Sequence, residues 1–387
     1  MRDARVPNAF LNSVTIAVRP RIALGGGLSV QEEIFGSLEY LSEVPSAGKQ
    51  FLINLNVPND QAKKRHELFR SFIRQAKTFY EAASVLHYRA APLNYYYSFL
   101  NLVKAYISLT DPNQVQGKIP HGLSYQFRDT ALSSQCVNVG PSNGVFPRFY
   151  TKMFGKSLPA KTTKLGIDQI LSYCSDITFE YERATTQKHR MTQAHARVLL
   201  TGEPKRAYWM IAVSSLRKGI TSGFSGASKK FEKYFEEVAI SKNPFLQMAM
   251  QQYFGFQIIE LQSYSFYESK EYDLTAQGQI PAVQMHSDAL DAVRAFYQSC
   301  VFKDEGDFLL SSPFKKRTAI SFNEVVAIYC AMFYLGSLVR YNPRYLDESL
   351  SSKHGWLIER FTKAAPLTFL RHLGNLIENT DRLFYRR

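Results

Sequence analysis

Residues 92–106 read Pro-Leu-Asn-Tyr-Tyr-Tyr-Ser-Phe-Leu-Asn-Leu-Val-Lys-Ala-Tyr. Pro92 suits the first turn of a helix, where its missing N–H is no loss. Asp111-Pro112-Asn113 supplies the stop signal for a helix over 92–110. Nearly every position between is apolar or aromatic, and a helix without a polar face has to be buried. Asn101 and Lys104 interrupt the run at helical spacing. A buried lysine requires a partner. Two readings stand open: the pair lines an interior site, or Lys104 extends its head to solvent while Asn101 binds neighbouring backbone.

The preceding segment, 61–88, repeats Leu68, Phe69, Phe72, Ile73, Ala76, Phe79, Tyr80 and Ala83 at intervals of three and four, with Asp60 as its cap. It predicts an amphipathic helix packed antiparallel to the next. Ser29 with Glu32 and Glu33 starts a helix over 30–43. Residues 14–18 and Phe51–Leu55 read as short strands, and 121–165 as irregular and turn-rich. Asp168 opens a helix to about 182. The runs Arg197–Leu200 and Tyr208–Val213 flank Thr201-Gly202-Glu203-Pro204, a β-hairpin pattern. A Gly/Ser loop over 219–228, a helix over 229–240 and a strand over 254–259 follow. The C-terminal third predicts helices over 284–300, 321–340, 354–363 and 366–383.

At 387 residues the chain suits two or three packed units. Its formal charge is +14, with a pI near 9.4, which favours an anionic partner, nucleic acid ahead of membrane. The charge is segregated. Residues 130–231 hold 15 cations and 5 acids, so 15 − 5 = 10 of the 14 excess charges lie there. From Arg183 to Lys230 the cations Arg183, Lys188, Arg190, Arg197, Lys205, Arg206, Arg217, Lys218, Lys229 and Lys230 face only Glu203. These ten are the expected phosphate-contacting residues. Cys136, Cys174, Cys300 and Cys330 form no Cys-x-x-Cys pair and read as reduced, mostly buried thiols of a cytoplasmic protein. No secretory leader is evident at Met1–Pro7. The apolar run Val325–Val339 is shorter than the roughly 18–20 residues that span a bilayer and predicts a buried core helix.

Chemical signatures are sparse. Gly219 to Lys230 lacks the Gly-Lys-Ser/Thr ending of a phosphate loop. The eight histidines show no metal-ligand spacing, and no Gly-x-Ser-x-Gly elbow occurs. The expectation is therefore no metal and no cofactor. His121-Gly122-Leu123-Ser124 after Pro120 reads as a fixed turn, which makes His121 a third interior polar candidate. Arg183 with His189, and Arg190 with His195, show the spacing of an Arg–His ribonuclease motif, where helix gives way to strand-like sequence.

Several segments together resemble YaaC-like bacterial proteins. They are Arg74-Gln75-Ala76-Lys77-x-Phe79, Pro92-Leu93-x-x-Tyr96-Tyr97-x-x-Leu100-Asn101-Leu102-x-Lys104-Ala105, His121-Gly122-Leu123-Ser124, Asn143-Gly144-Val145-Phe146 and Leu338-Val339-Arg340-Tyr341-Asn342-Pro343. The resemblance covers about 60–375 and implies a fold rather than an activity. The tyrosine–asparagine helix also resembles the aromatic helix of HEPN-type bundles, which recur in toxin–antitoxin and antiviral modules. By that likeness Arg190 and His195 are the candidate catalytic pair of a metal-independent endoribonuclease.

The combined expectation is an α+β, predominantly α-helical protein. Helical units at 1–125 and 266–387 flank a basic, partly β unit at 126–265. The expected role is a nucleic-acid-associated accessory component, plausibly of a bacterial defence module. The alternatives are the ribonuclease and an adaptor for an acidic protein partner in a multi-component system.

Overall fold

The computed structural model describes residues 2–5, 7, 9–11, 21–23, 28–201, 206–214, 233–240, 244–254, 263–273, 284–285, 287–289, 300–304, 307–311 and 320–383. The chain divides into two compact units, Ile22–His189 with Phe314–Arg387, and Met1–Arg21 with Arg190–Pro313. It is an α+β protein in which helix predominates.

The first unit is helical. It contains α1 (Val30–Glu43), α2 (Pro45–Asn54), α3 (Asn59–Ser84), α4 (Ala91–Ser108), α5 (Val145–Phe154), α6 (Ile167–Leu171), α7 (Thr178–Thr185), α9 (Glu324–Tyr341), α10 (Pro343–Ser351) and α11 (Gly355–Glu378). Local chemistry fixes several ends. Ser29 and Glu32 close a reciprocal capping box on α1, and the Asn323 side chain caps α9. Gly155 ends α5 in the left-handed conformation.

Helix α4 is the axle of this unit, packed by α3, α5, α9 and α11. Gly336 on α9 permits one close crossing, because a Cβ there would meet Pro92 O and Tyr96 Cβ at 3.2 Å. The rings of Phe99 and Phe369 stack with centroids 3.9 Å apart, joining α4 to α11. Helix α9 is buried along almost its whole length, as its apolar run predicts. Cys136, Cys174 and Cys330 are buried free thiols.

These contacts explain why three consecutive units at 1–125, 126–265 and 266–387 give way to two interleaved ones. Both α9 and α11 pack on α4, so segments on either side of the sheet unit in sequence share one core. A small antiparallel sheet, β4 (Leu123–Gln126), β5 (Cys136–Val139) and β6 (Thr163–Gly166), belongs to this unit. It lies inside the stretch that reads as irregular from sequence.

The second unit is built on a sheet in the order β1 (Arg2–Asp3), β9 (Phe235–Ala239), β10 (Tyr264–Ser269), β8 (Arg206–Ser214), β7 (Met191–Thr201), β13 (Asp307–Ser311), β12 (Cys300–Asp304). β2 (Ala9–Leu11) also pairs with β7, and β11 (Tyr272–Asp273) with β8. Central β8 is buried on both faces. Helix α8 (Pro244–Phe254) supplies Leu246, Met250 and Phe254 to a core with Tyr208, Met210 and Phe266.

Other local expectations change. Phe51–Leu55 lies in and just after helix α2 rather than in a strand, because a short apolar run carries no period of its own. Residues 235–239 form β9 instead of extending a helix; pairing with β10 overrides the local pattern. Helices expected at 354–363 and 366–383 are one, with Pro366 inside α11. Residues 14–18, the loop 219–228, most of 284–300 and positions 255–259 of a proposed strand lie outside the described residues.

Candidate functional site

The segments that carry the resemblance converge on one cleft of about 300 Å³ in the helical unit. Helix α4 contributes Leu93, Tyr96 and Tyr97; the turn into β4 contributes His121 and Leu123 to Tyr125; α9 contributes Phe333, Gly336, Ser337, Arg340 and Tyr341. The turn is held by two glycines in close approach. Gly122 adopts φ +78°, and a Cβ on Gly144 would meet Gly122 Cα at 2.4 Å. Val145 N–H donates to Pro120 O, and Phe146 N–H to His121 O, both at 3.0 Å. The start of α5 therefore pins the peptide that presents His121.

His121 and Arg340 are each engaged by a tyrosine. Tyr96 Oη lies 2.7 Å from His121 Nδ1. With the hydroxyl donating, the neutral ring carries its proton on Nε2 and keeps that N–H as a donor. Arg340 donates to the Tyr97 hydroxyl, and its guanidinium lies 5.0 Å over the Tyr341 ring. Phe79 on α3 packs against Tyr97, with ring centroids 5.3 Å apart. None of the described residues lining the cleft is acidic. Burial, then the charges of Lys104 and Arg340, push the His121 pKa below its ordinary value. The wall is thus cationic, aromatic and without its own counter-ion, which suits an anionic ligand.

Lys104 stands half-buried behind His121, its Nζ 5.7 Å from the Phe72 ring centroid. Burial lowers its pKa. Asn101 is buried, and its amide donates to Tyr97 O one turn back. Asn101 therefore acts on its own helix, whereas His121 alone of the three interior candidates lines the cleft. Sequence reasoning passed over Arg340 as a site residue. The available signal was its place in the Leu338–Pro343 segment.

Arg190 and His195 are not brought together. Arg190 precedes β7, and Met191 to His195 alone span about 13 Å of extended strand. His195 is buried between β8 and β13, its ring edge-on to Tyr264 at 5.6 Å. The helical Arg–His geometry that the motif needs is absent from this strand.

Several of the basic residues have partners inside the protein. Arg183 lies over the Phe179 ring at 5.4 Å, Lys188 pairs with Glu182 at 3.4 Å, and Arg206 pairs with Glu271 at 3.4 Å. Arg197 lies over the Phe254 ring at 5.6 Å. Lys205, Arg217, Lys218, Lys229 and Lys230 fall outside the described residues. In the helical unit, Lys152 donates to Tyr106 O and to the Thr110 hydroxyl at the end of α4. Burial and the nearby Arg65 press its amine down to about 7. Lys156, Lys161 and Lys164 are exposed, with no carboxylate within ion-pair distance among the described residues.

No group of three or more metal-ligating side chains occurs among the described residues. Fold and cleft together define a mostly helical α+β protein with an aromatic cleft, bordered by His121 and Arg340, where α4 and α9 cross. The family model of YaaC-like proteins matches residues 41–377, and the chain belongs to that family. The match begins inside α1 and ends one residue short of the end of α11, so it includes every element of the cleft. A search of curated proteins found no match, and a search of solved structures found none.

Proposed function

We propose that this chain is a nucleic-acid-associated accessory protein, a binder rather than a catalyst, and that it takes an anionic group of its partner in the Tyr96–His121–Arg340 cleft. The observation that supports this reading is the cleft's donor set: a charged guanidinium and an imidazole N–H held in place by tyrosine hydroxyls, with no acid among the described wall residues. Arginine presents five donors in a fixed fork, and one of them is engaged by Tyr97, so the rest are available to oxyanions. The segregated positive charge of 130–231 adds long-range attraction for a polyanion. A role in a bacterial defence module remains part of the proposal through the HEPN likeness alone.

Filter binding of a single-stranded oligonucleotide between 50 and 200 mM salt tests the reading. Affinity should fall steeply with salt, by a slope of about −0.7 per phosphate neutralised. It should drop further in Arg340→Gln. Absence of binding at low salt would refute it. The HEPN-type ribonuclease is the weaker reading, because His195 lies on strand β7 and Arg190 precedes that strand, so the two do not share a helix.

A further inference from the structure

Resting on the anion-binding reading, we infer that the cleft is a mononucleotide pocket: it takes one nucleoside monophosphate unit, either free or as the phosphorylated end of a strand. Charge alone would ask only for cations at a surface. This cleft joins its cations to ring surface. Arg340 is aimed by Tyr97 and backed by Tyr341, itself an exposed residue. Tyr125, half-buried, meets Phe333 and Tyr334 edge-on, at 6.5 and 6.0 Å with interplanar angles of 73° and 79°. Its hydroxyl accepts from Asn342 Nδ2, which fixes the ring against α9. One wall therefore offers a fork for phosphate oxygens, and another offers an anchored aromatic surface for a base.

The dimensions agree. About 300 Å³ is at the small end of ligand pockets. It admits one ring system with a charged group and leaves no room for a run of stacked bases. Inorganic phosphate would use only half of such a site.

Isothermal titration with AMP, adenosine and inorganic phosphate decides the matter, followed by competition with a short oligonucleotide carrying or lacking a 5′-phosphate. AMP should bind at least about tenfold more tightly than phosphate, since a stacked base contributes that much or more. Adenosine should bind weakly. Arg340→Gln should remove AMP and phosphate binding together. Tyr125→Leu, which keeps apolar bulk and removes the ring, should lower AMP affinity about tenfold and leave phosphate unchanged. Arg340 is exposed, so its replacement leaves the fold intact. Displacement of AMP by the phosphorylated oligonucleotide identifies a strand end as the ligand, and failure to displace identifies the free nucleotide; both support the inference. Equal affinity for AMP and phosphate would overturn it and leave the anion site standing. AMP binding that survives both substitutions would overturn it as well. If none of the probes binds, the anion-binding reading itself falls.

Discussion

His121 and His195 are both imidazoles set among aromatic rings, one in each unit, and the contrast between them is instructive. His195 has an arginine at motif spacing in the chain, and strand geometry parts the two. His121 has no arginine at that spacing, yet a tyrosine from α4 and an arginine from α9 reach its cleft. A spacing is meaningful only relative to the element that carries it. On a helix, residues three or four apart are neighbours; on a strand, residues an odd number apart face away from one another.

Glu324 of the helical unit and Glu271 of the sheet unit differ in burial, and this gives the largest expected effect. Glu324 is fully buried at the start of α9, where it accepts from Ser175 N at 2.6 Å and faces His372 Nε2 at 3.3 Å. Burial alone would raise its pKa, and the interactions with His372 and Ser175 N–H outweigh that and hold it below the usual carboxylate range. Glu324→Ala should cost about 3–5 kcal/mol in urea unfolding, because it leaves the Ser175 N–H and the partly buried His372 without their acceptor. Glu271→Ala in the sheet unit removes contacts to Arg5 and Arg206 at 3.6 and 3.4 Å, partly open to water, and should cost less than about 1 kcal/mol. Equal costs would erase the contrast. The stability from Glu324 is present above the unfolded-state carboxylate pKa and is lost as pH falls through its depressed folded value.

The glycine contact at the His121 turn comes next. Gly144→Ala drives a methyl into backbone at 2.4 Å and should destabilise by about 1–3 kcal/mol while weakening anion binding. Gly155→Ala, with open space around its Cβ but φ +64°, should lose stability and leave binding unchanged. Loss of binding in both would deny the turn a special role.

His121 sharpens the comparison through pH. Its lowered pKa keeps it neutral at pH 7, and a bound anion favours the charged ring, so binding takes up a proton. Sulfate affinity should therefore rise as pH falls from 7 to 5, by at most about tenfold per unit. His121→Gln should flatten the profile and His195→Gln should leave it unchanged. A flat wild-type profile would remove His121 from the site.

The smallest effect belongs to Lys104. Among the described contacts it faces an aromatic ring rather than a carboxylate. Lys104→Met should then shift stability by no more than about 1 kcal/mol. A loss of 3–5 kcal/mol would reveal a stranded charge.

Legibility in the sequence followed periodicity. Helices α1, α3, α4 and α9 and the β7–β8 hairpin were readable because each carries its own repeat of apolar positions. Residues 51–55 and 235–239 were misread, since their structure is decided by partners distant in sequence. Of the cleft, His121 and the α4 wall were visible, the latter through its aromatic density. Arg340 was hidden because nothing local marks it: it ends a core helix, and only the α4 crossing turns it into a wall of the site. The basic stretch was legible as charge but not as surface. Lys152 shows why, since its charge is spent on carbonyl and hydroxyl oxygens at the end of α4.

The crossing at Gly336 also orders events in time. During synthesis α4 emerges with α3 beside it, but α9 and α11 follow only after more than two hundred further residues. Until then Phe99, Tyr96 and the α4 face that they share have no cover, and exposed apolar surface of that kind is where nascent chains associate wrongly. The sheet unit can complete its pairing first, since its main strands all precede α9. Ribosome-stalled chains ending before residue 320 should carry a protease-resistant sheet and a protease-sensitive α4. Protection of α4 should appear in a single step once α11 clears the exit tunnel.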